Sequence, residues 1–175
     1  MFVDIHGRLP ILFLNVVYEP NRLSLGHGHP ENWIELGYLL DNYTLELSKE
    51  ELDRGSDKFR TSIRTLSKRY PDIPFSSFLR GHSSLGSRLA LTHNLTSTPS
   101  QEHPHPHREQ KYFAGGYCTQ TYGSRNGGNI DAVQIELPKI LRFQKSGRDN
   151  VGIALSESLV WFLQAFYHVD IKSKM

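Results

Sequence analysis

The sequence is poor in several things that would have named its chemistry at once. Its 175 residues include one cysteine, two methionines and two tryptophans. A lone thiol, Cys118, excludes an internal disulfide and a four-cysteine zinc site. It suits a reducing compartment, so a cytoplasmic location is the expectation. Charge of one sign is also missing. Lys and Arg number 20 against 18 Asp and Glu, a net charge of +2. That balance supplies no strong pull on nucleic acid or on an anionic membrane, and neither is expected as a partner. No apolar run reaches the roughly 18 residues of a transmembrane helix. The segment Leu9 to Val17 has the length of a signal-peptide core. Asp4 and His6 precede it, however, and no small-residue cleavage site follows, so no signal is expected.

Enough apolar residues remain, 38% of the chain, to build a packed core and to exclude global disorder. The length fits a single domain over 1–175. Residues 1–5 read as a short buried strand and Trp33 to Leu40 as a second, whose interior Gly37 predicts a bulge or a close backbone approach. Ser48 with Glu51 forms a capping box opening a helical region that runs to Tyr70, with a break at Gly55. Its later part places Phe59, Ile63 and Leu66 on one apolar face. A further short helix is expected over 83–91, and Pro99, Pro104 and Pro106 predict a loop over 96–111. Tyr112 to Thr121 reads as a strand containing Gly115-Gly116, followed by a turn over 123–129. Ile130 to Leu137 reads as a buried strand ended by Pro138. Asp149 to His168 carries apolar residues at spacings of 3 and 4, a strong amphipathic helix. Strands alternating with helices predict an α/β domain with a mixed or mainly parallel sheet flanked by helices.

The abundant polar type is histidine, with nine. Most are expected to be solvated. His103-Pro104-His105-Pro106-His107 looks like a metal tract, but an extended Pro-rich segment turns its three rings in different directions. His27 and His29 lie beside the first candidate element, His82 is placed to line a pocket, and His93 and His168 are expected at the surface. Asp4-x-His6-Gly7 ends the first strand, where open α/β sheets bind ligands. A His there beside a carboxylate has the form of a metal ligand with its supporting group; a plain turn histidine is the alternative. Glu136 sits inside an apolar strand, as a candidate general base and acid or as an outward-facing residue. The segment from Tyr112 to Asn129 offers close backbone approach at Gly115 and Gly116, hydrogen bonds from Tyr117, Thr119 and Tyr122, and a carboxylate clamp in Arg125. A hairpin built from ordinary turn residues is its plain reading. Cys118 has no base at a matching spacing and is expected to be structural.

Two stretches carry a family resemblance. Phe113-Ala114-Gly115-Gly116-Tyr117-Cys118-Thr119-Gln120-Thr121-Tyr122-Gly123, then Asp131-Ala132-Val133-Gln134-Ile135-Glu136-Leu137, resemble the C-terminal signature of the N-formylglutamate amidohydrolase family. Asp4-Ile5-His6-Gly7 is similar to that family's D-x-H element, and His29 to Tyr38 resembles its eukaryotic and fungal-type branch. The resemblance spans 1–7 and most of 27–168. It implies a zinc-carboxypeptidase-like fold, of the phosphorylase/hydrolase-like kind, and a zinc-dependent amidohydrolase. It implies His6 as zinc ligand and Glu136 as base, with Gly115, Gly116, Tyr117, Thr119, Tyr122 and Arg125 toward an N-acyl amino acid such as N-formylglutamate.

The pattern departs from the family in two places. The family's N-terminal segment, which supplies two further zinc ligands, has no counterpart here, so an N-terminally truncated domain is expected. Residues 8–26 interrupt the pattern, and joining Gly7 to His27 restores D-I-H-G-H-G-H-P. Those 19 residues are expected to be an insert foreign to the family, of the kind a retained intron would encode. One His alone cannot hold a catalytic zinc, which takes about three protein ligands. The alternative function is therefore an inactive fragment that binds a small carboxylate at most. An incomplete sheet predicts self-association through its exposed surface.

Overall fold

A computed structural model describes residues 33–106 and 112–169, together with the backbone of Phe2–Val3 and Phe13–Val16. The strands are β1 (Phe2–Val3), β2 (Phe13–Val16), β3 (Ile34–Gly37), β4 (Ser97–Thr98) and β5 (Ala132–Glu136). The helices are α1 (Asn42–Glu46), α2 (Lys49–Arg54), α3 (Arg64–Arg69), α4 (Phe75–Arg80), α5 (Leu85–His93), α6 (Tyr117–Tyr122), α7 (Lys139–Phe143) and α8 (Lys145–Tyr167). Short 3₁₀ turns occupy Asp57–Phe59 and Ser124–Asn126. The strands form one sheet in the order β1-β2-β5-β3-β4. β2 runs parallel to β5 and β4 parallel to β3, whereas β1–β2 and β3–β5 are antiparallel. The fold is thus α/β with a mixed sheet.

Alternation decides what each face of the sheet does. In β3 and β5, Ile34, Leu36, Val133 and Ile135 point one way into the main core. There they join Phe78 of α4, Leu85 and Leu89 of α5, and Phe162, Leu163 and Tyr167 of α8. Each such side chain taken out of water contributes about 1.5–3 kcal/mol, which offsets the entropy of ordering the chain. The other face carries Glu35, Gly37, Ala132, Gln134 and Glu136, and α6 packs against β2 and β5.

The helices start and stop for local reasons. Ser48 caps α2 by accepting from Glu51 N at 3.2 Å, and the Glu51 carboxylate accepts from Ser48 N at 2.8 Å. Gly55 ends that helix, as the sequence predicts. Ser84 caps α5, accepting from Ser87 N at 3.2 Å. Arg80 is buried and donates to the carbonyls of Leu45 and Leu47, both at 2.5 Å, so it closes the end of α1 from a distant helix. Burial lowers its pKa and the charge of Asp53 opposes that shift.

Asp131 knots three elements together just before β5. Its Oδ1 accepts from Thr65 N at 3.0 Å and from Ser124 Oγ at 2.5 Å. Its Oδ2 accepts from the Tyr167 hydroxyl at 2.8 Å. A fully buried carboxylate therefore joins the start of α3 to the end of α8.

Four expectations need correction. Tyr112 to Thr121 is not a strand: 112–116 is irregular, and α6 follows. Gly115 takes φ +135, which turns the chain, and Gln120 N donates to Gly116 O at 2.9 Å to open a helical turn. Phe59 leaves its predicted apolar face and is exposed, because the chain is in a 3₁₀ turn there and α3 begins only at Arg64. The loop over 96–111 contains the short strand β4, paired with β3 through Ser97 and Thr98 ahead of the first proline. The last helix starts at Lys145, where an exposed Lys145–Asp149 pair at 2.6 Å supports its first turn. Of the segment expected as an insert, Phe13–Val16 lies between β1 and β5 in the sheet.

Candidate functional site

The polar face of the sheet brings two buried carboxylates together. Glu35 of β3 and Glu136 of β5 are directly opposed across the antiparallel pair, and Gly37 opposes Gln134. Opposed residues share a face. Glu35 and Glu136 are 9% and 8% exposed, and Gln134 is wholly buried. A carboxylate is buried only where hydrogen bonds replace water. Gln134 Nε2 donates to Glu136 Oε1 at 2.6 Å. Glu35 Oε2 accepts from Phe113 N at 3.1 Å.

Residues 112–116 lie across this face as a strap. The Tyr112 hydroxyl donates to Leu36 O. Leu39 N donates to Ala114 O at 2.6 Å, and Gly116 N donates to Gln134 Oε1 at 2.5 Å. Burial pushes the Tyr112 hydroxyl far above its ordinary pKa, with Tyr38 and Glu35 adding to the shift, so it donates as a neutral phenol. The close approach expected at Gly37 is where the strap crosses: a Cβ there would stand 2.6 Å from Phe113 O and 2.7 Å from the Ala114 carbonyl carbon. Backbone on that side cannot yield cheaply. Gly37→Ala is expected to cost about 1–3 kcal/mol, as overpacking of a closed site does. The measurement is a lowered urea midpoint with an unchanged slope. A midpoint equal to wild type would mean that the strap does not close over Gly37.

The expected site residues are distributed as follows. Glu136 ends β5 and faces the strap. Gly115 takes the left-handed region, and Gly116 precedes α6 with its N–H on Gln134. Thr119 is buried in α6 below them, and its hydroxyl has no hydrogen-bond partner among the described residues. Tyr117 and Tyr122 stand at the surface, 77% and 44% exposed, and Arg125 is exposed on the turn that follows. Glu136, Gly115, Gly116 and Thr119 therefore gather around one strap, whereas Tyr117, Tyr122 and Arg125 are exposed on α6 and the turn after it. His6, Asp4, His27 and His29 lie outside the described residues.

The remaining histidines take other roles. His82 and His105 are exposed. His103 packs on Trp33 with ring centroids 4.5 Å apart. His93, expected at the surface, is mostly covered and meets Glu157 at 3.1 Å. His168 is exposed at the left-handed end of α8, 3.1 Å from the Tyr70 hydroxyl. His107 lies outside the described residues.

Glu35 is the residue that sequence reasoning passed over. Its signal was there: Ile34-Glu35-Leu36 repeats the pattern of Ile135-Glu136-Leu137, an acidic residue within an apolar strand. Among the described residues no group of three His, Cys, Asp or Glu could hold a metal ion. They do not by themselves fit the zinc that the resemblance implies. A shallow cleft of about 470 Å³ opens elsewhere, among Asp53, Lys58, Phe59, Lys68, Asp72 and Phe75, and includes none of the expected site residues. Among the described residues no helix is long and apolar enough to cross a membrane. Compared with known proteins, the chain matches no family model, no curated protein and no solved structure.

Proposed function

We propose that the chain is an amidohydrolase of N-acyl amino acids, of the N-formylglutamate amidohydrolase kind, with Glu136 as the group that moves the proton. One observation carries the reading: a buried carboxylate at the end of a core strand, held by Gln134 under a glycine-rich strap. In the reaction, water attacks the amide carbonyl carbon while Glu136 takes its proton. The C–N bond then breaks, and Glu136 returns the proton to the departing nitrogen. Water is consumed, and a carboxylate and a free amine are released. Backbone at Gly115 and Gly116 lets the acyl group come close, with the Thr119 hydroxyl beneath. Tyr117, Tyr122 and Arg125 meet the amino-acid part, Arg125 pairing with its carboxylate. The single thiol supports a reducing compartment such as the cytoplasm for this activity, and strand β1, at the edge of the sheet with one neighbour among the described residues, supports self-association.

The test is incubation of the purified chain, with and without added zinc, with N-formylglutamate and a panel of N-acetyl amino acids, following release of free amine. Product formation that is lost on replacing Glu136 supports the reading. No product under any condition rejects it in favour of an inactive chain that binds a small carboxylate at most. Elemental analysis decides the metal separately. About one zinc per chain, lost in His6→Ala, is expected of a metal-dependent enzyme whose ligands include His6. No zinc in either protein would remove His6 from the site.

A further inference from the structure

The side-chain amide of Gln134 has both ends engaged, and the direction of its bonds is fixed by chemistry. Gly116 N–H can only donate, so the atom facing it at 2.5 Å must be the amide oxygen. The NH₂ group then has to face Glu136, 2.6 Å away, where it can only donate. Gln134 is wholly buried, so water does not compete for either end. Glu136 thereby receives a hydrogen bond on Oε1 while Gly116 is in place. A strap that moved off would free the amide oxygen, and with it the rotation of the amide plane.

We infer that Gln134 is a positioning residue that couples closure of the strap to the orientation of the Glu136 carboxylate. This rests on the reading of Glu136 as the proton-transferring group, and it adds a condition to that reading. Under a closed strap the amide, held by Gly116, fixes the place of Oε1 and with it the direction in which the carboxylate meets a proton. The opposed carboxylate contributes at the other end of the same segment: Glu35 holds Phe113 N, three residues before Gly116. The strap is anchored at one end by Glu35 and reports its closure at the other through Gln134.

The experiment uses the full chain labelled with ¹³C at the side-chain carboxyls of glutamate. The Glu136 signal is assigned by its loss in E136Q. Two variants separate the two ends of the amide. Q134M, similar in length and apolar, removes both bonds. Q134E keeps an oxygen for Gly116 N–H but, when ionised, offers no donor to Glu136. In Q134M the Glu136 signal is expected to move, and Gly116 amide exchange to quicken by about 10-fold, as loss of one buried hydrogen bond allows. In Q134E the Glu136 signal is expected to move while Gly116 stays protected. The inference is overturned if Q134M leaves either the Glu136 signal or the Gly116 exchange rate at its wild-type value. It is equally overturned if Q134E moves neither. In hydrolysis, Q134E is expected to lower kcat with KM unchanged, because it keeps Gly116 in place and loses only the contact that serves proton transfer. Absence of hydrolysis in the wild-type chain would remove the proposed activity and leave the two magnetic-resonance readouts to decide the coupling.

Discussion

Glu136→Gln is expected to lower kcat for N-acyl amino acid hydrolysis by about 10²–10⁴, the usual contribution of a positioned proton-transfer group. KM should change little, since the substitution keeps the shape of the side chain and removes only its basicity. Stability should also hold. A glutamine at this place still offers a carbonyl oxygen to Gln134 Nε2, so that buried donor keeps its partner. Steady-state kinetics with a melting curve on the same preparation separates the outcomes. Loss of turnover with an unchanged melting temperature places the chemistry at Glu136. Retained turnover would move the proton-transfer role elsewhere. Loss of both would mean that the carboxylate serves the fold.

The second large effect concerns Asp131, away from the chemistry. Asp131→Leu removes the acceptor of three donors, Thr65 N, Ser124 Oγ and the Tyr167 hydroxyl. Of these, Ser124 Oγ also reaches Ser62 O at 3.0 Å and Thr65 N also reaches Ser124 Oγ at 3.1 Å, so it is the buried Tyr167 hydroxyl that loses its acceptor. A buried donor left unpaired costs about 1–3 kcal/mol, which sets the scale of the expected loss. Asp131→Asn keeps the oxygen for Thr65 and Ser124 and presents an NH₂ group to the Tyr167 oxygen, so it should fold. It also reveals a pH dependence. Burial raises the Asp131 pKa above its ordinary 3.8, against the pull of its hydrogen bonds. A raised acid binds its proton more tightly in the folded state than in the unfolded one. The stability it contributes is full below 3.8 and is lost as pH rises through the raised value. Relative to Asp131→Asn, the wild-type protein should therefore lose stability on going from about pH 4 to pH 7. Urea midpoints of the two proteins across that range provide the check. A difference that stays constant with pH would show that Asp131 does not titrate as a buried acid.

What could be read from the sequence was what depends on neighbours along the chain. The apolar spacing of α8, the Ser48–Glu51 box, the stop at Gly55 and the buried run of β5 are local patterns, and each is present where expected. Gly37 was legible for the same reason: a glycine within a strand marks a close approach, and the crossing strap supplies it. The strap and α6 were not legible. Tyr, Phe and Thr over 112–122 favour extended structure by intrinsic preference. The turn into a helix depends on Gly115 adopting a conformation that its own sequence permits without demanding. It also depends on Gln134, distant in sequence, accepting from Gly116. α4, Phe75–Arg80, is too short to show a period, and its place is set by packing Phe75, Phe78 and Leu79 into the core. The pairing of Glu35 with Glu136 depends on β3 and β5 becoming antiparallel neighbours, about a hundred residues apart, which no local pattern records.

The strap is tied down almost wholly through its main chain. Phe113 contributes an N–H, Ala114 a carbonyl and Gly116 an N–H, while the receiving side must keep a glycine at 37, a glutamate at 35 and a glutamine at 134. Selection on such an arrangement falls unevenly. The methyl of Ala114 takes no part in these ties and is free to vary, while the residues beneath it are fixed by atoms that no change of side chain in the strap can alter. Lineages of this chain would drift at Ala114 while Gly115 keeps its turn and the residues beneath stay constant, a reversal of the usual expectation that the outermost layer of a site records its specificity.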